Sequence, residues 1–278
     1  MIHYLKLVHY ELTRFRFIYA SLFVLTLLSQ LGGVYFYAHS IMNRINDTMV
    51  RESMSDAAYV SKYGTVGFLD FTGISLWFMA PIALCITALV LYVFLIWYRD
   101  WMGKNMFIYR LLMLPTARAN IYLAKLSTIF LMVLGLIAFQ LLVLPLLNSL
   151  YNSLVPSIFR YTMPIFDLIT IHPLLNILIP QNFVEFVLYY GAGIMGVIII
   201  FTAILIERSH RWKGIIAGIA YVVVASLVFF LPIFLSEIWF INYFYPIEIV
   251  LMEIVTGILV IIASLWLSFF LLKNKVYV

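Results

Sequence analysis

Cysteine is almost missing: Cys85 is the only one, and it falls in the middle of an apolar run. A disulfide framework and a thiolate metal site are thereby excluded. Charge is scarce too, at 10% of 278 residues, where a soluble domain carries roughly 25%. No GxxxxGK[ST] segment occurs, so the chain builds no ordinary phosphate-binding loop and is not itself an ATPase. HExxH and GxSxG are also absent, and the five histidines (His3, His9, His39, His172, His210) form no compact ligand pattern. Four of the five fall near expected interfaces or loops, where a solvated imidazole is the expectation. No catalytic residue, resident cofactor or metal is assigned, and the chain is not expected to be an enzyme.

What the chain does have is hydrophobic length. Hydrophobic residues make up 65% of it, and several runs exceed the ~18 apolar residues that mark a membrane-spanning helix. The runs lack strict alternation, so helices are expected rather than barrel strands. The fold class is all-α: a polytopic membrane protein with one transmembrane domain over 1–278. Six spans are expected, near 17–38, 72–97, 119–147, 187–206, 214–235 and 247–272. Residues 2–16 place Leu5, Val8 and Leu12 on one face and supply Lys6, Arg14 and Arg16. That pattern predicts an interfacial helix leading into the first span. The first apolar run is too long for a signal core and is expected to stay as a helix.

Charge orients the spans. The N-terminal segment, 98–125, 207–213 and the C-terminus together hold 13 of the 17 Lys and Arg residues. Only three acids, Glu11, Asp100 and Glu207, accompany them. The remaining cations, Arg44, Arg51, Lys62 and Arg160, share the other side with nine acids. Cations stay cytoplasmic, so both termini are expected inside the cell membrane of a bacterium. The net charge of +5 expresses this sidedness and not nucleic-acid binding.

On the other side, 39–71 is polar and charge-balanced, which predicts a solvated cap holding a short helix. Residues 148–186 carry Pro156, Pro164, Pro173 and Pro180, which predicts short helices in the outer leaflet. Trp239, Tyr243 and Tyr245 suit an interface. Gly191, Gly193 and Gly196 spell GxGxxG inside an apolar run, without the strand that a nucleotide site needs. Close helix packing is the expected use of these glycines. Gln30 and Gln140 lie inside spans one and three, where interhelical hydrogen bonding is expected. Glu253 sits about two turns into the last span. A carboxylate there must face protein or water, so Glu253, with Gln140, is a candidate for a substrate path.

The most informative segment is Tyr98–Lys125. It carries Arg99, Lys104, Arg110, Arg118 and Lys125 against the single acid Asp100, interleaved with Trp101, Met106, Phe107, Leu111 and Leu114. Within it, Leu111-Leu112-Met113-Leu114-Pro115-Thr116-Ala117-Arg118, followed by Ile121 and Lys125, resembles the signature with which permease subunits of ABC-2-type transporters enter their third span. The basic ending Leu271-Leu272-Lys273-Asn274-Lys275-Val276 resembles the same family. The topology resembles it over the whole chain; the residue-level likeness is confined to about 103–125. Phe107, Ile108, Tyr109 and Arg110 stand where many members have a Gly-Thr and an acid.

The resemblance implies an N-terminal elbow helix at 2–16, a coupling loop at 98–118 and short re-entrant helices before the last span. It implies a cytoplasmic ABC ATPase dimer as partner, holding the ATP and Mg, with Lys104, Phe107, Arg110, Leu111, Leu114 and Arg118 meeting it. A second permease copy, or a related permease, and membrane lipid are the other implied partners. Arg118 and Lys125 are expected to anchor the turn to lipid phosphates or to the ATPase, and 207–213 to add a second contact. The implied function is outward transport of a hydrophobic or amphipathic cargo: a peptide, an antibiotic or a lipid-linked molecule. Two other classes stand beside it: an ion-coupled secondary transporter using Glu253, and a membrane enzyme or scaffold.

Overall fold

The computed structural model describes residues 2–101, 117–239 and 243–274 and, for residues 2, 3 and 210–212, the backbone alone. The described elements are α1 (Ile2–Glu52), α2 (Asp56–Tyr63), β1 (Val66–Gly67), α3 (Phe68–Ile74), α4 (Leu76–Trp101), α5 (Arg118–Leu154), β2 (Arg160–Tyr161), α6 (Ile165–Ile171), α7 (Pro173–Leu178), α8 (Phe183–Ile238) and α9 (Pro246–Asn274). Six helical segments are long and apolar enough to cross a membrane: Tyr4–Glu52, Leu76–Trp101, Arg118–Leu154, Phe183–Ser209, Lys213–Ile238 and Pro246–Asn274. The chain is an all-α, multi-pass membrane protein. Helices satisfy their backbone groups internally, which hydrocarbon demands. That satisfaction is robust enough to hold Pro81, Pro145 and Pro232 within helices.

The boundaries differ from expectation in instructive places. Residues 2–16 are helical but run into the first span without a break, and the helix continues to Glu52 rather than stopping near 38. Val34, Ala38 and Ile45 recur on one buried face, so the apolar stripe that stabilises the helix outlasts the hydrophobic run. The second span begins at Leu76, because residues 68–74 form the separate helix α3, closed by Ser75. Of the segment expected as a loop at 98–118, residues 98–101 belong to α4 and Arg118 opens α5.

Packing divides the chain into two compact units. Unit one comprises residues 1–14, 89–131 and 183–278; unit two comprises 15–88 and 132–182.

Unit two is organised by an apolar core. Val34, Phe71, Phe78, Leu144, Leu147 and Tyr151 are fully buried there, joined by Phe68, Phe159, Leu168 and Leu175. Residues 39–71 are exposed over most of their length and hold the expected short helix, α2, which has no buried residue; Ile45, Phe68 and Phe71 nevertheless enter the packed core, where aromatic burial outweighs local polarity. β1 and β2 form a two-residue parallel ladder pairing Val66 with Arg160 and Gly67 with Tyr161. The Tyr161 ring lies against the Gly67 α-carbon, where a β-carbon would collide with it. The short helices expected within 148–186 are α6 and α7. Gln30 and Gln140 hydrogen-bond reciprocally at 3.3 Å, as an interhelical pair should. His172 departs from the solvated expectation. It is buried, its Nε2 lies 3.1 Å from the Thr72 carbonyl, and its Nδ1 accepts from the Leu175 amide. The imidazole caps α7 immediately before Pro173, the favoured first-turn residue.

Unit one contains the reversal within α8. A methyl group on Gly218 would lie 2.9 Å from the Ala203 carbonyl oxygen, and one on Gly214 would lie 2.8 Å from that of Ile206. Residues so far apart on one straight helix would never meet. The chain therefore folds back near 207–213, as the short loop predicted, and these glycines permit the close approach. The segment Lys213–Ile238 then packs antiparallel to α9: Tyr221 Oη lies 2.6 Å from Ser264 Oγ, and Thr256 donates to the Phe229 carbonyl at 3.3 Å. Met195, Ile199, Ala225 and Val260 form the apolar core between these segments. Gly191, Gly193 and Gly196 do not do what was expected of them. A methyl group on any of the three would meet nothing within 4 Å, so no close helix packing occurs there among the described residues.

Candidate functional site: a buried ion circuit

One end of unit one gathers the charges. Glu11 comes from α1, Arg99 and Asp100 from the last turn of α4, and Lys125 from the second turn of α5. Lys125 is 1% exposed, Asp100 0% and Glu11 3%. Its ammonium donates to Glu11 Oε1 at 2.7 Å, to Asp100 Oδ2 at 2.5 Å and to the Ile96 carbonyl at 2.8 Å. An ammonium has three donors, and all three are used. Arg99 donates to Glu11 Oε2 at 2.8 Å, and Arg14 donates to Asp100 Oδ1 at 2.7 Å. Each carboxylate oxygen thus receives a charge-assisted hydrogen bond. Arg14 and Arg99 are partly exposed at the rim, with Lys125 at the centre.

Aromatic rings wall the circuit. The Lys125 ammonium lies 5.2 Å from the centre of the Trp97 ring, and the Arg99 guanidinium 5.7 Å from that of Tyr92. Trp97 packs edge-on against Phe201 at 5.5 Å, and Tyr122 does so at 5.4 Å. These rings exclude water and strengthen each ionic contact. Local sequence explains the positions. Glu11 and Arg14 are one helical turn apart, so both face α4. Ile121 and Lys125 are likewise a turn apart, so the apolar face of α5 delivers its lysine inward.

Two further contacts fasten the same end. The Tyr98 hydroxyl donates to Glu207, and the Arg208 guanidinium lies 4.9 Å from the Tyr98 ring centre and 5.7 Å from that of Trp101. Arg118 donates to the Leu272 carbonyl at 2.5 Å, satisfying an acceptor in the last turn of α9. The termini of α4 and α5, which flank residues 102–116, are thereby tied to α1, to the reversal in α8 and to the end of α9.

Of the residues expected to meet a partner, Lys104, Phe107, Arg110, Leu111 and Leu114 lie outside the described residues. Arg118 is described and donates to the Leu272 carbonyl. Lys125 is corrected: its buried ammonium, saturated by Glu11, Asp100 and Ile96, does not reach lipid phosphates or a docked subunit. Gln140 is engaged with Gln30 and lies in unit two. Glu253 lies in unit one, half-buried in α9, and among the described residues no hydrogen bond or ion pair reaches its carboxylate. Among the described residues no group of three His, Cys, Asp or Glu side chains is placed to hold a metal.

The circuit was not foreseen. Its signal was present, however: Glu11, Asp100 and Glu207, the three acids on the basic side, each now have a cationic or phenolic partner. An acid surviving in a segment of like-signed charges marks a place where a cation needs it. Comparison of the chain with protein-family models, with curated proteins and with solved structures returns no match.

Such an arrangement can hold the helix ends it joins. Removing one member of a buried ionic set leaves the others uncompensated, at about 3–5 kcal/mol. The helix ends it joins are therefore fixed in one geometry or separated altogether.

Proposed function

We propose that this chain is the permease subunit of an ATP-driven ABC exporter, inserted in the cell membrane with both termini in the cytoplasm. A separate ATPase dimer binds ATP and Mg, and the chain supplies the path. The observation that carries the reading is the ion circuit. It fastens the ends of α4 and α5 that flank residues 102–116, so a push on that segment acts on α4, α5 and α1 together. The family resemblance at about 103–125 implies an ATPase contact in the same segment, through Lys104, Phe107, Arg110, Leu111, Leu114 and Arg118. The cargo is hydrophobic or amphipathic, in keeping with the apolar character of the spans, and two permease chains enclose it.

Purification of the tagged chain from its native membranes tests this. A protein with a GxxxxGK[ST] loop should elute with it in comparable amount, and vesicles holding both should move cargo only with hydrolysable nucleotide. A second reading, an ion-coupled secondary transporter, has the unpartnered carboxylate of Glu253 in its favour. Transport by the chain alone, driven by a proton gradient and abolished by Glu253→Gln, would decide for it.

A further inference from the structure

Glu253 is exceptional among the acids of the chain. Glu11 and Asp100 are neutralised in the circuit, Glu52 accepts from Lys62, Asp70 from the Gly67 amide, Glu207 from Tyr98 and Glu248 from the Tyr245 amide. Asp47, Asp56, Asp167 and Glu237 are exposed, and Glu185 lies in the first turn of α8 and has a contact of its own. Glu253 alone lies seven residues inside α9 without a described donor or cation, flanked by the exposed apolar Met252 and Val255. A carboxylate at such a position faces protein or water and marks a pathway or ligand contact.

Its surroundings select the ligand. The antiparallel register that sets Tyr221 beside Ser264 and Phe229 beside Thr256 brings Glu253 level with Pro232. Pro232 is buried inside its helix and has no amide hydrogen, so the Val228 carbonyl lacks its usual helical donor. The Thr256 hydroxyl is turned to the Phe229 and Glu253 carbonyls and offers no donor outward. The polar groups placed at this level are therefore acceptors beside the Glu253 carboxyl group, and the apolar neighbours include Phe229 and Phe230 in edge-on contact at 5.0 Å. A hard metal ion requires about six oxygen ligands, which this wall does not supply. A positive charge carried on an apolar body matches both the acid and the rings.

We infer that Glu253 is the anionic contact of a binding site for lipophilic cations, and that the cargo class of this chain includes hydrophobic molecules bearing one positive charge. The inference rests on reading the chain as a transporter, and it names which amphipathic molecules the path accepts. The carboxylate pairs with the cationic centre, and the face formed by α9 and Lys213–Ile238 takes up the apolar body. A neutral or anionic analogue of the same size loses the ionic contact and meets a desolvated negative charge.

The test is equilibrium binding of tetraphenylphosphonium, with tetraphenylborate as the anion of like size. The full-length chain is used in lipid nanodiscs together with whatever co-purifies. Wild type should bind the cation, and Glu253→Gln should weaken that binding roughly tenfold or more while leaving weak tetraphenylborate binding equal or stronger. Glu253→Asp should recover part of the affinity. Equal cation binding by wild type and Glu253→Gln would overturn the assignment. Should the variant fail to fold, wild type decides alone. A hydrophobic carbodiimide should form an adduct at Glu253, and tetraphenylphosphonium should slow that labelling; labelling unaffected by the cation, or replaced by an amide cross-link from Glu253 to a Lys of a second copy, would overturn it. The two proposals fail separately. An eluting ATPase without cation binding removes this site and leaves the exporter, whereas cation binding with nucleotide-independent transport removes the exporter and leaves the site.

Discussion

The two units hold their helices together by opposite chemistry. Unit two does it with an aromatic and aliphatic core, in which Phe68, Phe71, Phe78 and Tyr151 fill the space between helices. Unit one, at the end of α4 and α5, does it with two carboxylates and three cations, of which one lysine is almost wholly buried. Dispersion and apolar burial are non-directional, so a core tolerates repacking. A set of charge-assisted hydrogen bonds tolerates the loss of a single member far less, because each carboxylate oxygen and each Lys125 hydrogen has its partner in the set or at the Ile96 carbonyl. The first construction suits a part that only has to stay together. The second suits a joint whose geometry must be unique.

The largest expected effect lies in the joint. Lys125→Met leaves Glu11 and Asp100 buried without their central cation and should destabilise the protein by about 3–5 kcal/mol, read by denaturant unfolding in detergent. Lys125→Arg should fail nearly as badly, since a planar guanidinium does not reproduce three donors converging from an ammonium. The core should behave otherwise. Phe71→Ala should cost about 3–5 kcal/mol through its cavity, but Phe71→Leu much less. If Lys125→Arg were as mild as Phe71→Leu, the contrast between the two regions would be lost.

Smaller effects sharpen the comparison. Gly218→Leu should separate the two halves of α8, costing about 1–3 kcal/mol by overpacking and measurable as a lowered melting temperature. Gly193→Leu should be nearly silent, since open space surrounds that α-carbon. Arg118→Gln should cost about 1 kcal/mol by releasing the Leu272 carbonyl and should increase amide exchange in the last turn of α9.

The least effect belongs to Lys62. The Glu52 carboxylate beside it holds its ammonium above the usual lysine range. What this exposed pair contributes is present below the unfolded lysine value and fades as pH rises through the raised folded value. Lys62→Ala should leave the melting temperature unchanged at neutral pH, because solvent screens such pairs.

The sequence made the spans legible because hydropathy is a local property: each of the six lies within a run that can be seen by itself. The reversal at 207–213 was legible for the same reason. The core of unit two was not, since Phe68 and Phe71 sit in a polar stretch and acquire meaning only against Tyr151 and Leu168, about a hundred residues away. A trace was readable in α1, where Val34, Ala38, Ile41, Ile45 and Met49 keep helical spacing past the hydrophobic run. The circuit was hidden more deeply. Its partners are separated by 86, 88, 114 and 25 positions, and positive-inside bias is enough to account for each cation singly. Only the acids stood out.

The proposed coupling is tested most directly by a variant that dissolves the joint without leaving a buried charge alone: Glu11→Gln, Asp100→Asn and Lys125→Met together. Arg14 and Arg99, partly exposed at the rim, then turn to water, and the chain should fold. The measurement is cargo moved per ATP hydrolysed in vesicles containing the partner ATPase. The account predicts that hydrolysis continues while transport falls to the level of vesicles without nucleotide. Transport per ATP equal to wild type in this triple variant would contradict it.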